Sequence, residues 1–245
     1  MPPPTSWDLA WEQIGAVVVV AAAYVLAARR HPPSRLRMAV FAAGLALVLA
    51  VFVTPVGTLA LHYLLAAHLF QNVALAEWAP ALVVLGLSAG MAAALTRPRP
   101  LRLLTLPAVA LPLWLVVYGV WHVPAVYDAA LRSRPLLLLE HVTYVAAGVL
   151  LWWPVFRAEP RRLGNAGRAA YVFGAFLLAS PIGLLLALVP RPIYDFYVEA
   201  PRVWGLDAAT DQQIAGVIMA GSEAVVFFAV FAVYFLRFLA DEERG

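Results

Sequence analysis

The chain predicts an all-α fold: a polytopic membrane helical bundle with seven transmembrane helices, forming one integral membrane domain. Three observations predict it. Of 245 residues, 64% are hydrophobic and only 13% are charged, against roughly 25% charged in soluble domains. The apolar residues collect in stretches close to the ~20 residues that a helix needs to cross a ~30 Å hydrocarbon core. Arginine collects in alternate connections between those stretches, as in chains whose cytoplasmic loops are positive.

The first stretch, 13–28, is rich in valine and alanine and stops at Arg29 and Arg30. The segment before it has no basic run and carries Asp8 and Glu12, which predicts a retained helix rather than a cleaved signal peptide. The second stretch is 37–53. The third, 57–86, is long and contains Glu77, Trp78 and Pro80, and its apolar tail runs on to Leu95. Residues 79–95 are open to three readings: a helix extension, a re-entrant stretch or an interfacial helix. The fourth stretch, 103–121, holds Pro107 and Pro112; the fifth is 136–156; the sixth, 169–189, holds Pro181; the seventh is 212–238. Prolines are tolerated in membrane helices where neighbouring helices satisfy the freed carbonyls.

With seven crossings, Arg29, Arg30, Arg35, Arg37, Arg97, Arg99, Arg102, Arg157, Arg161, Arg162, Arg168, Arg237 and Arg244 share one side. That is thirteen arginines against four, Arg132, Arg134, Arg191 and Arg202. The bias puts the N-terminus outside and the C-terminus in the cytoplasm, whereas a turn at Glu77 that split the third stretch would erase it. Trp11 and Trp121 are expected at the outer interface, and Trp152 and Trp153 at the inner one.

Composition also excludes function classes. The chain has no lysine, so Schiff-base chemistry and a retinal protein are out. With no cysteine, there are no disulfides, thiolate relays or Cys-ligated metals. A net charge of +3 without basic runs interleaved with aromatics makes nucleic acid no partner. No Ser–His–Asp spacing, phosphate-binding glycine loop or H-E-x-x-H occurs, which predicts that the chain is not an enzyme.

Four of the five histidines fall at or near the outer ends of the stretches. His62 and His68 lie about 9 Å apart along the third and point about 120° away from each other, while His68 and Asn72 share a face. His122 ends the fourth stretch, and Glu140 and His141 open the fifth. Asp211, Gln212 and Gln213 open the seventh. Ionisable groups in hydrocarbon carry an insertion penalty and usually have a task. Neutral imidazole is a common ligand of copper, zinc and haem iron. The candidate metal residues are therefore His68, His122, His141 and His62, supported by the polar residues Asn72, Glu140, Asp211 and Gln212, and by Met219. Each histidine can equally be a hydrogen-bonding residue between helices. His31, in a basic loop, is read as solvated. Gln212, Ala215, Gly216, Met219, Ala220 and Glu223 form one helical stripe, read chiefly as close packing; Met219 can also be read as a soft copper ligand.

Three strings carry a family resemblance. The first is Ala67-His68-Leu69-Phe70-Gln71-Asn72 with Ala79-Pro80 and Leu82 to Gly86. The second runs from His122-Val123-Pro124 and Val126-Tyr127-Asp128 through Leu139-Glu140-His141 to Leu151-Trp152-Trp153-Pro154. The third is Trp204-Gly205-Leu206 with Asp211-Gln212-Gln213 and Ala215 to Met219. In this order and spacing they resemble the CtaG family of cytochrome c oxidase assembly factors, first tied to caa3-type oxidase. The resemblance covers about residues 56–240.

It implies a multi-pass plasma-membrane protein, surrounded by lipid, that helps to build a haem–copper oxidase by handling copper for its subunits, with His68, His122, His141, Asp211 and Gln212 as carried-over positions. Where the family commonly has H-x-x-x-H, this chain has His68 and then Asn72. Two further readings stay open: a membrane haem-binding electron-transfer protein, and a scaffold for oxidase subunits that holds no metal.

Overall fold

The computed structural model describes residues 1–157 and 163–244, so Arg161 and Arg162 lie outside the described residues. Among the described residues helices dominate, and six are long and apolar enough to cross a membrane. These are α1 (Trp11–Arg30), α2 (Arg35–Val53), the unit Leu65–Gly86, α10 (Arg134–Phe156), α11 (Asn165–Leu188) and α13 (Ala208–Glu242). A seventh crossing is counted only if α8 (Pro107–Trp121) and α9 (Pro124–Arg132), bent by 73° at their junction, form one span. The chain is thus a multi-pass helical membrane protein. The expected fourth crossing, 103–121, is modified: its first residues belong to a separate short helix, α7 (Arg99–Leu104). The 15 residues of α8 cover only about 22 Å.

The third stretch is also broken. Thr54 caps α3 (Pro55–His62) through a side-chain bond from the Val56 N–H, and Pro55 suits the first helical turn. The chain then leaves helical geometry at Tyr63 and Leu64. The crossing proper begins at α4 (Leu65–Val73), passes a π turn at Ala74–Trp78 and ends in α5 (Ala79–Gly86). Of the three readings for 79–95, the helix extension holds as far as Gly86. After Ser88, which caps it, a separate helix α6 (Ala89–Leu95) follows.

The π turn explains a correction. Trp121, Trp152 and Trp153 are buried rather than set at the interfaces, while Trp11 is exposed as expected. The wider winding and Pro80, which lacks an N–H, displace the helical hydrogen-bond ladder. The Ala76 and Glu77 carbonyls instead take the indole N–H groups of Trp114, at 3.3 Å, and Trp152, at 2.8 Å. Trp121 donates to the Thr143 hydroxyl at 2.9 Å.

The bundle has two unlike ends. At the arginine end, Arg37 and Arg157 donate to the carbonyls of Val84, Leu85 and Leu87, satisfying the last turn of α5 with cations suited to its negative pole. The most extensive helix pairing is α11 on α13. A Cβ on Gly216 would stand 2.3 Å from the Ala187 nitrogen and 2.6 Å from the Gly183 carbonyl oxygen, so only glycine permits this approach. The small-residue stripe of α13 is therefore a packing seam, with Met219 buried in the apolar core. Between α11 and α13, a short helix α12 (Asp195–Glu199) folds over the histidine end.

Candidate metal centre

Asp211, in the first turn of α13, builds one wall of the site from a distance. The break at Tyr63 and Leu64 leaves the first N–H groups of α4 without partners inside the helix. The buried Asp211 carboxylate accepts both, from Leu65 at 2.8 Å and Ala66 at 3.1 Å. His68 lies within the first turn after this cap and is fully buried.

Three groups converge there. His68, Glu140 and His141 each bring a ligand atom, and these atoms lie within 4.8 Å of one another. Neighbouring residues on a helix leave it about 100° apart, so Glu140 and His141 of α10 approach the centre from two sides. His68 Nε2 lies 3.7 Å from Glu140 Oε1.

The hydrogen-bond network sets the tautomers. The Tyr197 hydroxyl, with one proton, donates to the Ala60 carbonyl at 2.5 Å, so it accepts from His68 Nδ1–H at 2.7 Å. That leaves the His68 Nε2 lone pair turned to the centre. In the same way His122 Nδ1 donates to the Tyr118 carbonyl at 2.7 Å and keeps a free Nε2. Buried polar atoms are normally paired, yet His68 Nε2, Glu140 Oε2 and both ring nitrogens of His141 have no hydrogen-bond partner. A metal ion would take His68 Nε2, a Glu140 oxygen and one of the two His141 nitrogens. Asn72 donates to Glu140 Oε1 at 2.9 Å, orienting the carboxylate rather than facing the centre as a ligand.

The expected residues therefore divide. His68 and His141 come together, and Glu140, expected only in a supporting role, joins them as a third donor. His122 stands behind the Tyr127 ring, which is 5.2 Å from the His68 ring and 6.4 Å from that of His122. His62 remains apart: the break after α3 separates it from the helix of His68, and its ring packs against Tyr63 at 6.3 Å. Gln212 clamps a loop, accepting from the Ile193 N–H at 2.8 Å and donating to the Arg191 carbonyl at 3.1 Å. Glu223, in the middle of α13, accepts the Tyr118 hydroxyl.

The sequence reading missed the cover of the site. Tyr127, Tyr194 and Tyr197 are buried over the histidines. Asp128 holds α12 in place by accepting the N–H groups of Asp195 at 3.1 Å and Phe196 at 3.0 Å. Tyr194 donates to the His122 carbonyl at 3.1 Å. Only the Tyr127-Asp128 pair, within the second string, offered a signal for this layer.

Two cavities of about 400 Å³ each reach His141 from the other side, one polar-rimmed at the end of the bundle and one apolar between α1, α2, α5 and α10. A family model described as cytochrome c oxidase caa3 assembly factor matches residues 18–241. No curated protein and no solved structure matches the chain.

Proposed function

This chain belongs to the family of cytochrome c oxidase caa3 assembly factors, and from that premise we propose that it handles copper for the oxidase at the centre formed by His68, Glu140 and His141. The observation that carries the reading is that three buried residues, His68, Glu140 and His141, each bring one ligand atom to within 4.8 Å of the other two, and that each has nitrogen or oxygen atoms without a hydrogen-bond partner. Two imidazoles and a carboxylate make a borderline N/O donor set, for which copper(II) ranks highest among the first-row divalent ions, above zinc. Three ligands without a thiolate suit an ion that must leave again. The role is non-catalytic: the protein receives an ion and passes it to an oxidase subunit.

The arginine bias supports an orientation in which this centre lies near the outer face of the membrane. A haem sandwiched between His68 and His141 is disfavoured, because Glu140 Oε1 lies 3.7 Å from His68 Nε2, where a porphyrin plane would have to pass.

Copper(II) titration of the purified protein in detergent tests the proposal, with zinc as competitor. Wild type is expected to bind one ion, and His68→Ala, His141→Ala and Glu140→Gln each to weaken binding at least tenfold. Binding that is unchanged in all three variants, or absent from folded wild type, overturns it.

A further inference from the structure

His68 and Glu140 are fully buried, and on one side the tyrosines of α9 and α12 cover them. His141, at 6% exposure, is the ligand that meets open space. His141 also lines the polar-rimmed cavity, between the start of α1, the end of α3 and the start of α10. Asp8, Glu12 and Arg134 stand exposed at its mouth. The Asp8 N–H is tied to the Val53 carbonyl at 3.1 Å, which fixes that carboxylate at the rim. Glu12 pairs with Arg134 at 3.0 Å, joining α1 to α10 across the opening. Two carboxylates against one guanidinium leave the mouth net negative, which raises the local concentration of cations and speeds their arrival. A volume of about 400 Å³ holds roughly a dozen waters at ~30 Å³ each. The second cavity reaching His141 shares Glu12 and Gln13 with the first at one edge, but the rest of its lining, apart from Pro80 and His141, is valine, leucine, alanine and phenylalanine, so along most of its length it offers a hydrated ion no ligands.

We propose that the polar cavity is the entry vestibule by which a hydrated metal cation reaches the centre, with Asp8 and Glu12 as its attracting rim and His141 as the first ligand met. This rests on the copper-handling reading, which supplies the cargo.

The absence of native cysteine permits a direct test. Leu61→Cys, inside the vestibule, is labelled with a bulky water-soluble thiol reagent, and Val17→Cys, in the apolar groove, serves as control. The proposal expects Leu61→Cys to react from the outer side of intact cells. In purified protein, its label should slow copper(II) uptake at least tenfold in stopped-flow while the final stoichiometry stays at the wild-type value, and the label on Val17→Cys should leave the rate unchanged. In Asp8→Asn and Glu12→Gln, uptake slows several-fold at low salt and less at high salt.

A folded Leu61→Cys that is unreactive, a labelled protein that loads at the wild-type rate, or slowing from the Val17 label alone overturns the vestibule. Wild type that takes up no copper overturns the cargo assignment instead. The reactivity of Leu61→Cys then decides the vestibule by itself.

Discussion

Replacing Asp211 by alanine should destabilise the protein without acting as the loss of a metal ligand. The wild-type carboxylate satisfies the Leu65 and Ala66 N–H groups at 2.8 and 3.1 Å in a position with no exposure. Each buried donor left unpaired costs about 1–3 kcal/mol, and the loss of an anion at the positive pole of α4 adds roughly 0.5–1 kcal/mol. Water entering the vacated space offsets part of this, so a net loss of ~3 kcal/mol is expected. At about 2–4 °C per kcal/mol for a chain of this size, Tm should fall by roughly 6–12 °C. Asp211→Asn keeps one acceptor oxygen and should fall about half as far.

Tryptophan fluorescence during heating in detergent measures the shift. Hydrogen exchange at Leu65 and Ala66 localises it. Because Asp211 caps rather than ligates, the deficit should be the same size with and without copper. A variant that melts within about 2 °C of wild type, or one whose deficit appears only when metal is present, refutes the capping argument.

Three further outcomes follow from the same geometry. Tyr197→Phe removes the acceptor that holds His68 Nδ1–H, so copper affinity should fall about tenfold to a hundredfold in titration, with the fold retained by circular dichroism. Gly216→Leu forces a side chain into backbone 2.3 Å away and should cost ~3 kcal/mol or more, seen as a lower Tm or loss of monodisperse protein on gel filtration. Since an imidazole must be deprotonated to bind metal, copper affinity should weaken steadily as pH falls, and the pH dependence should become shallower in His141→Ala.

Much of the architecture was legible because the bilayer imposes a length. Stretches of about 20 apolar residues became helices close to the expected bounds at α1, α2, α10, α11 and α13. Breaks inside an apolar run were not legible. Tyr63 and Leu64 interrupt the third stretch with no proline or glycine between them, because the backbone groups freed there are satisfied by Asp211, a residue about 150 positions away. The burial of Trp152 was hidden for a similar reason. A tryptophan near an expected membrane boundary reads as an interfacial anchor, and only the unfilled carbonyls of the π turn call it inward.

The site shows the same division. That histidines fall near the ends of apolar stretches was visible in the chain, since residue number along a helix translates into axial position at 1.5 Å per residue. Which of them meet was not visible, because it depends on rotation about each helix axis, and the break before Leu65 resets that rotation. Glu140 looked like a supporting polar group until Asn72 and the two imidazoles were seen to aim its carboxylate at the centre.

The linear order of residues alone thus determined the all-helical class and the rough position of most apolar segments, since both follow from local hydrophobicity. Tertiary structure alone decided that His68, Glu140 and His141 converge, that Asp211 is a cap, and that His62 and His122 stand aside. Those outcomes depend on azimuth and on partners distant in the chain, which local physics does not encode.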